Sequence, residues 1–408
     1  MKTLIIGAGP AGLNAAIHAS SENNTVIIIE KNEKAGKKLF ITGKGRCNVT
    51  NNSDENEFIK NIVNNPHFLY SAIYNFSSQD TINFFSGNGT PLITERGNRV
   101  FPESGKSYDI TDCLVNVCKQ KGVIFHFNEI VTNIKKIDDQ FVVSTSKDTY
   151  LVDFIVIATG GLAYPSTGST GDGYKFAKGL GHSVIDVVPA LTGIKIKENI
   201  PHELDGFTLK NVSLSVKGER FKHTEFGELT LRNDYLDGPI ALSTSSYINR
   251  FDIASIKIEL DFKPALNEDK LEQRLLRDLK AKANEDIYSL LRGLLVKELI
   301  TFFNSVTNFN LKEKCNAFSK ENRIKLIHYL KHFPLNYDGL NSFNRSIVTS
   351  GGINVKEINS STMESKLVCN LYFAGEVIDV DALTGGFNIQ IALSTGALAG
   401  DSIKLKSR

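Results

Sequence analysis

The sequence lacks any large excess of charge. Its 408 residues include 47 lysines and arginines and 45 aspartates and glutamates, which leaves a formal net charge of +2 at neutral pH. Such a balance gives no general electrostatic field that would attract a polyanion or an anionic lipid surface. We therefore expect neither nucleic acid nor membrane among the partners, and a small molecule as the substrate.

Paired cysteines are also missing. The five cysteines are scattered without a C-x-x-C pair, and an odd number does not suit the disulfide framework of a secreted protein. No apolar run approaches the length that crosses a membrane, and the apolar start MKTLIIGAGPAGLNAAIHAS is interrupted by glycines and a proline. We expect mature, folded sequence with reduced thiols in the cytoplasm.

A metal-binding pattern is absent as well. H-E-x-x-H does not occur, and His328 and His332, which lie four residues apart, have no third ligand at a suitable spacing. On a helix these two side chains would share one face, which fits surface histidines better than a metal site. We predict no metal centre.

What the sequence does contain is a dinucleotide-binding pattern at its start. The apolar run KTLII leads into Gly7, Gly9 and Gly12 with the spacing G-x-G-x-x-G, and a later apolar run, TVIIIE, ends in Glu30. Gly7 allows a tight turn, Gly9 lets the backbone approach a pyrophosphate, and Gly12 lets a helix pack closely on the strand. Glu30, 18 residues after Gly12, can accept hydrogen bonds from a ribose. Together these features predict dinucleotide binding.

A glycine-rich basic segment, GKKLFITGKGRCNVTNN at residues 36–52, follows the ribose-binding acid. Free backbone amides around Gly43 and Gly45 can face flavin oxygens, and Lys38 or Arg46 can balance phosphate charge. By residue type alone the segment would be an ordinary solvated loop. Its position directly after the acid favours a cofactor role.

The second half of the expected site comes from two distant segments. The buried strand DFIVIATGG ends in residues 158–161, and near the C-terminus LYFAG leads to Glu376 and Asp379 and then to Gly385 and Gly386. A glycine pair that opens a helix collects free N–H groups and the positive end of the helix dipole, which can stabilise negative charge on a reduced flavin. A capped helix docked on a sheet is the alternative, but it does not explain the two acids.

At this point the sequence resembles a known family, the bacterial aminoacetone-oxidase-like or BaiN/YhiN-like NAD(P)/FAD-dependent oxidoreductases. The matching segments include IIGAGPAG, GKKLFITGKGRCNVTN, RVFPES, IATGGLAYPSTGSTGDGY, SGGINVKEINSSTMESK and LYFAGEVIDVDALTGGFNIQIALSTGALAG. The resemblance implies an α/β fold: a discontinuous Rossmann-like FAD-binding domain of the three-layer, glutathione-reductase-like kind, interrupted by a small β-barrel and a helical subdomain. It also implies amine oxidation or reduction steps of the kind found in bile-acid metabolism.

The motifs and the resemblance together predict the site residues. Cys47 is either a redox thiol or a packing residue, and the lack of a second nearby cysteine favours packing. Tyr164 is the candidate catalytic side chain, although a packing or positioning role suits it better. We predict that FAD contacts Gly7, Gly9, Pro10, Ala11, Gly12, Glu30, Lys31, Lys38, Thr42, Gly43, Gly45, Arg46, Cys47, Asn48, Val131, Ala158, Thr159, Gly160, Gly161, Gly375, Glu376, Asp379, Gly385, Gly386, Phe387, Asn388 and Ile389.

One segment departs from the family pattern. Where relatives typically carry GE…FTHxGxSGP, residues 227–239 read GELTLRNDYLDGP, with Arg232, Asn233, Asp234 and Tyr235 in place of the histidine and serine. If this segment touches substrate, the substrate differs from that of relatives.

The middle of the chain divides the sequence into domains. Short alternating runs after Pro189 suit a β unit, and helical periodicity begins near Asn267. We predict an FAD-binding domain at residues 1–188 and 348–408, an inserted β domain at 189–264 that can extend to 347, and a helical subdomain at 265–347.

The function predicted from these features is an FAD-dependent oxidoreductase in which hydride passes through flavin N5, with amine oxidation or enone reduction as the reaction. No second strand-linked G-x-G-x-x-G with its acid is present, so NAD(P)H would visit only transiently. A non-catalytic protein that binds FAD, with an insert that binds a partner, is the alternative. A flavin-dependent RNA modifier is disfavoured by the near-neutral charge.

Overall fold

The computed structural model describes residues 1–408 apart from the side chain of Lys44. The chain forms two compact units, one made of Met1–Ala190 with Phe343–Arg408 and the other of Leu191–Ser342. Each unit has its own hydrophobic cluster. Our finer division of the insert at residue 264 stays a prediction.

The strands are numbered in chain order through both units. They are β1 (Lys2–Ile6), β2 (Thr25–Glu30), β3 (Thr50–Asn51), β4 (Ile62–Asn64), β5 (Leu92–Glu95), β6 (Arg99–Pro102), β7 (Ile124–Phe127), β8 (Val131–Ile137), β9 (Gln140–Thr145), β10 (Thr149–Val152), β11 (Phe154–Ile157), β12 (Val184–Ala190), β13 (Ile194–Ile196), β14 (Thr208–Lys217), β15 (Lys222–Leu231), β16 (Tyr235–Asp237), β17 (Lys257–Asp261), β18 (Phe333–Leu335), β19 (Tyr337–Leu340), β20 (Val348–Ile353), β21 (Leu371–Phe373) and β22 (Asp381–Ala382).

The α-helices are numbered in the same way, and short 3-10 helices join several elements. The α-helices are α1 (Pro10–Ala19), α2 (Glu55–Lys60), α3 (Tyr70–Asn75), α4 (Ser78–Gly87), α5 (Ser107–Gln120), α6 (Asp172–Gly179), α7 (Pro239–Ile248), α8 (Glu268–Ala281), α9 (Ile287–Leu291), α10 (Lys297–Thr307), α11 (Lys320–Lys331) and α12 (Phe387–Lys406). The 3-10 helices are Leu39–Gly45, Pro66–Leu69, Pro165–Thr167, His202–Leu204, Ile253–Ser255, Cys315–Ala317, Phe343–Arg345, Val355–Glu357 and Gly375–Val377.

A parallel sheet in the order β21-β11-β1-β2-β7 forms the centre of the first unit. Its inner strands are continuous apolar runs, as expected for a parallel sheet that is covered on both faces. Ile5 pairs with Ile28 on one side and with Val156 on the other. The carboxyl ends of β1, β2 and β11 therefore meet at one edge of the sheet.

Helices α1 and α12 cross at backbone distance beside this sheet. A Cβ atom on Gly396 would lie 2.3 Å from the carbonyl oxygen of Ala11, and one on Gly400 would lie 2.5 Å from that of Ala15. The side chain of Asn14 donates a hydrogen bond to the Leu393 carbonyl across the same contact, at 2.8 Å. The two helices therefore meet through positions where only glycine fits.

Residues 122–161 contribute strands to two different sheets. Strands β7 and β11 join the parallel sheet, while β8, β9 and β10 form a separate antiparallel sheet. The reason is that β11 is wholly buried and pairs with β1, whereas β9 alternates between buried and partly exposed residues over most of its length.

The second unit contains an antiparallel sheet in the order β18-β17-β14-β15-β16-β13-β19, with helices α7 to α11 in the same unit. We expected a small barrel; in the described part of the chain the end strands β18 and β19 are not paired with each other. One hydrophobic cluster runs through the strands and helices of this unit. The α/β class and the interruption of a Rossmann-type domain by an insert are confirmed.

Among the residues that the structure describes, no helix combines the length and the apolar character needed to cross a membrane. No three of their histidine, cysteine or acidic side chains are grouped so that they could hold a metal ion.

The α1–α12 contact yields a stability prediction. Gly400→Ala should lower the free energy of unfolding by about 1–3 kcal/mol, because the new methyl group meets backbone atoms that cannot move aside. The matched control is Gly87→Ala at the end of α4, where a Cβ would meet nothing within 4 Å. Urea unfolding of both variants measures the difference, and equal stability would contradict the packing argument.

Candidate functional site

The first turn of the chain is shaped by three glycines with different roles. Gly7 has a φ of +105°, and a Cβ there would lie 2.6 Å from the Ala158 carbonyl oxygen. A Cβ on Gly12 would lie 2.0 Å from the Gly7 carbonyl oxygen, so this glycine permits the close approach of α1 to β1. Around Gly9 a Cβ would meet nothing within 4 Å. The open space lies at the position where the pattern predicts a pyrophosphate.

Glu30 ends β2 beside this turn and is almost fully buried. One carboxylate oxygen accepts a hydrogen bond from the Ala8 amide at 2.8 Å, and the other accepts from the amide and side chain of Asn32 at 2.9 and 2.7 Å. These donors fix the carboxylate and still leave acceptor capacity on its oxygens. The position fits the ribose-binding role.

The end of β11 contributes residues that the second motif predicted. Ala158, Thr159 and Gly160 line the same cavity as the first turn. The buried hydroxyl of Thr159 has no hydrogen-bond partner among the described side chains and backbone groups. The same oxygen is enclosed by Gly173 of α6, where a Cβ atom would lie 2.2 Å from it, so it packs against the protein rather than facing the open cavity.

Helix α12 begins at this cavity. Gly385 and Gly386 precede it with φ angles of +135° and +100°, and a Cβ on Gly386 would lie 2.3 Å from the Thr50 carbonyl oxygen. The side chain of Asn388 exchanges two hydrogen bonds with the backbone of Ala382, at 2.7 and 2.9 Å. The helix start is therefore held in place, and its first backbone amides lack partners within the helix.

The basic segment supplies part of the cavity wall, but not all of it. Lys38 lines the cavity, and its ammonium group lies 2.6 Å from the carboxylate of Glu376, which also lines it. Arg46 does not: its guanidinium group pairs with Glu95 at 2.5 Å and lies over the ring of Phe101. Of these two cations, only Lys38 lines the cavity, and its charge is already paired there with that of Glu376.

Cys47 is a buried packing residue. Its side chain is inaccessible to solvent, and burial raises the pKa of the thiol to about 12. A thiolate is therefore not available at neutral pH, which removes the basis for a redox role.

These elements enclose one cavity of about 350 Å³ in the first unit, a size typical of small-molecule sites. Its wall includes most of the predicted cofactor contacts. Those that line it are Gly7, Gly9, Pro10, Ala11, Glu30, Lys31, Lys38, Thr42, Gly43, Asn48, Val131, Ala158, Thr159, Gly160, Gly375, Glu376, Gly385, Gly386, Asn388 and Ile389.

Several predicted residues lie outside the wall for identifiable reasons. Gly161 packs against Thr349, since a Cβ there would lie 2.4 Å from the threonine hydroxyl oxygen. Asp379 accepts a hydrogen bond from the side chain of Asn65 at 3.1 Å. Phe387 is buried edge-on against Phe58. The predicted residues that do not line the cavity are Gly12, Gly45, Arg46, Cys47, Gly161, Asp379, Phe387 and Tyr164.

Sequence reasoning missed the loop that covers the Glu30 end of the cavity. Thr167, Gly168, Ser169 and Asp172 all line it. Lys31 donates a hydrogen bond to the Asp172 carboxylate at 2.7 Å. Burial acts to raise the pKa of this carboxyl group, but that hydrogen bond and others outweigh burial, so the pKa is lowered. The segment GSTGDG at residues 168–173 is rich in glycine, but nothing near it in the sequence indicated that Lys31 is the ion-pair partner of Asp172.

Glu129 is a second missed residue. Its side chain is only 2% exposed, and its carboxylate accepts hydrogen bonds from Thr145 at 2.6 Å and Tyr150 at 2.9 Å. Burial of the Tyr150 hydroxyl, and to a smaller extent its hydrogen bond to the Glu129 carboxylate, raises the pKa of Tyr150 to about 12. Because Glu129 lines the cavity next to Val131, the network fixes the wall there. Glu129 lies between β7 and β8, and no sequence pattern around it indicated that it lines a cavity.

The segment that departs from the family pattern lies in the second unit. It runs from the end of β15 through the turn to β16 and into α7. Arg232 lies 3.8 Å from the carboxylate of Asp237 and 3.9 Å from that of Asp205. Whether the segment touches substrate stays a prediction.

Comparisons with known proteins agree with this architecture. The family model described as "HI0933-like protein Rossmann domain" matches residues 1–402. A 3-dehydro-bile acid delta(4,6)-reductase of Clostridium scindens is 27% identical over 97% of this chain and 97% of its own length. A ribosomal RNA dihydrouridine synthase of Escherichia coli is 29% identical over 99% and 98%, respectively. The name of this second relative gives no support to our expectation that nucleic acid is not among the partners.

A solved structure supports the fold alone. The 3-ketosteroid-delta4-(5alpha)-dehydrogenase of Rhodococcus jostii RHA1, in complex with 4-androstene-3,17-dione, superposes with a TM-score of 0.50 at 14% identity. The match covers 98% of this chain and 96% of that one. The similarity therefore extends over both units of the chain.

The buried thiols yield a reactivity prediction. A thiol reagent such as DTNB should modify one cysteine of the native protein quickly, because Cys369 is exposed and the other four are buried. Cys369→Ser should abolish that fast phase, and Cys47→Ser should leave it unchanged. Rapid modification of Cys47 in the native protein would contradict its high thiol pKa.

The carboxylate at the end of β2 yields a binding prediction. Glu30→Gln should weaken FAD binding about tenfold or more, because a hydrogen bond to a charged acceptor contributes about 1.5–3 kcal/mol. The matched control is Glu33→Gln, whose carboxylate is more than half exposed and pairs with Lys37. Quenching of flavin fluorescence on titration with apoprotein measures both; equal affinities would remove Glu30 from the site.

Proposed function

Because the chain belongs to the HI0933-like family of Rossmann-domain proteins, we propose that it is an FAD-dependent oxidoreductase that reduces a carbon–carbon double bond conjugated to a carbonyl group. The observation that carries the proposal is the cavity of the first unit, where the first-turn glycines, Glu30 and the start of α12 meet. The acid suits a ribose, and the helix start that lines the same pocket suits the negative charge of a reduced flavin.

The residues present fit FAD. The open space at Gly9 suits a pyrophosphate, and Glu30 suits a ribose. Backbone amides at the start of α12 would stabilise negative charge close to them. When bound, FAD supplies hydride transfer at its N5 atom.

The names of two relatives support the reaction class. One reduces the delta(4,6) bonds of a 3-dehydro bile acid, and the other makes dihydrouridine in ribosomal RNA. In both substrates the reduced double bond is conjugated to a carbonyl group, so hydride adds to the far carbon and a proton to the near one. The shared chemistry, rather than either substrate, is what we transfer to this chain.

A small organic enone is the first candidate substrate. The second candidate is a uracil base within RNA, and the relative from Escherichia coli, at 29% identity over almost the whole of both chains, favours it. The local chemistry is the same for both candidates, and only the part of the substrate beyond the reacting bond differs.

NAD(P)H is the proposed reductant, and it would visit the flavin transiently. The sequence has no second nucleotide-binding motif of the strand–glycine–acid kind. All five cysteines are free thiols, which supports a cytoplasmic setting.

Tyr164 takes a positioning role in this proposal. Its backbone is in the left-handed region, with a φ of +53°, which is strained for a tyrosine. Its carbonyl accepts hydrogen bonds from the Thr167 amide at 2.9 Å and the Thr167 hydroxyl at 2.7 Å. Because Thr167 and Gly168 line the cavity, the turn that Tyr164 begins shapes the wall.

The experiment uses the FAD-loaded protein under nitrogen with NADH or NADPH. Cyclohexenone, a 3-oxo-delta(4) steroid and uridine-containing RNA are offered as acceptors, with cyclohexanone as the control that lacks the double bond. We expect nicotinamide oxidation and a reduced product with at least one of the unsaturated substrates and none with cyclohexanone. A flavin that neither nicotinamide reduces, or equal turnover with cyclohexanone, would overturn the proposal.

A further inference from the structure

A row of lysines crosses three neighbouring strands of the inserted sheet. The strand register places Lys217 of β14 opposite Lys222 of β15 and opposite Lys257 of β17. Residues directly opposite each other in an antiparallel sheet lie about 4.5–5.5 Å apart and point to the same face. Three like charges therefore stand side by side, an arrangement that destabilises a sheet unless an anion neutralises it.

The face that carries this row is exposed to solvent. Along β14, Ser213 and Ser215 are half-buried on the same face as Lys217, whereas Leu214 and Val216 point into the core. The same alternation exposes Thr224 on β15, and its hydroxyl group is hydrogen-bonded to that of Ser215 at 2.9 Å. The face therefore presents hydroxyl groups next to its cations.

One large aromatic side chain stands on this face. Phe226 is 63% exposed and lies opposite Ser213 in the strand register, two rows from the lysines. An exposed phenylalanine on an otherwise polar sheet face offers a ring on which a nucleic-acid base can stack.

The acidic groups of the face leave two of the three lysines uncompensated. Lys217 pairs with Glu259 at 2.7 Å, and Glu259 also lies 3.1 Å from His332. Lys222 and Lys257 have no ion-pair partner in the part of the chain that the structure describes.

Among the remaining acids, the exposed Glu219 lies in the turn that joins Lys217 to Lys222, next to the exposed Arg220. Asp261 pairs with Lys331 at 2.6 Å, so its charge is already matched. Glu228, on β15 beyond Phe226, is exposed at the far end from the lysine row. The positive charge is therefore concentrated at one end of the face and the aromatic ring lies towards the other.

We propose that this face of β17, β14 and β15 binds single-stranded RNA, with phosphates at Lys257 and Lys222 and a base on Phe226. The proposal rests on the second candidate substrate of the proposed function, a uracil base within RNA. It assigns a binding surface to that class of substrate. Cations that track a backbone beside an aromatic ring are the general means of binding single strands. The near-zero net charge does not oppose it, because the cations are concentrated locally.

The test uses the FAD-loaded full chain and a short fluorescein-labelled single-stranded RNA that contains uridine. Fluorescence anisotropy gives the affinity between roughly 50 and 200 mM salt. Lys222→Gln with Lys257→Gln should weaken binding and lower the slope of log affinity against log salt by about 0.7 for each lysine. The control, Lys280→Gln with Lys297→Gln, removes two exposed charges from helices of the same unit and should change neither quantity.

The aromatic contact is tested separately. Phe226→Ala should weaken RNA binding about fivefold or more. Phe226→Tyr keeps the aromatic ring and should bind RNA with the affinity of the unaltered protein. Because Phe226 is mostly exposed, its removal leaves no cavity, and urea unfolding should show unchanged stability.

Reduction of cyclohexenone by NAD(P)H separates this inference from the proposed function. All variants should keep the rate of the unaltered protein, because none of the changed residues lines the cavity. If cyclohexenone is reduced but RNA affinity is the same in every variant, the RNA face is overturned and the function stands. If polyglutamate competes as well as RNA does and Phe226→Ala has no effect, the face binds an acidic protein partner, and the RNA proposal is wrong.

Discussion

The approach of helix α1 to both β1 and α12 at backbone distance is the contact on which the first unit depends. Gly12 lets α1 lie against the Gly7 carbonyl, and Gly396 and Gly400 let α12 lie against the other side of α1. This packing brings the carboxyl end of the first strand and the amino end of the last helix to one cavity, although they are nearly the whole chain apart in sequence. A larger side chain at these contacts would meet backbone atoms, which have no room to relax.

The walls of the cavity are fixed by polar groups that use each other as partners. Glu30 is held by amides of its own neighbourhood, Lys38 reaches across to Glu376, and Asn388 anchors the start of α12 to Ala382. Such partners reduce the reorganisation that binding would otherwise require. They also decide which cation can face a ligand: Lys38 lines the cavity together with its ion-pair partner Glu376, whereas Arg46 lies outside the cavity and pairs with Glu95.

The insert shows that net charge and charge distribution are different quantities. The sum over the chain is close to zero, yet the strand register of the inserted sheet aligns three lysines on a face where few acids remain unmatched. The summed charge predicts no polyanionic partner, while the local arrangement of the lysines admits one. For a two-unit protein the arrangement is the better guide, because screening limits each charge to a radius of about 10 Å.

The sequence by itself determined the local features: the tight turn at Gly7, the acid at the end of β2, the glycine pair that opens α12 and the α/β class. Each depends on backbone preferences or periodicity within a few residues, which the sequence states directly. Only the tertiary structure decided that Gly161 packs against Thr349 and that Arg46 forms an ion pair with Glu95. It also decided that Glu129 lines the cavity and that Lys222 lies opposite Lys217. Those outcomes depend on which distant residue comes within a few ångströms, and strand register and helix packing, rather than residue type, select that partner.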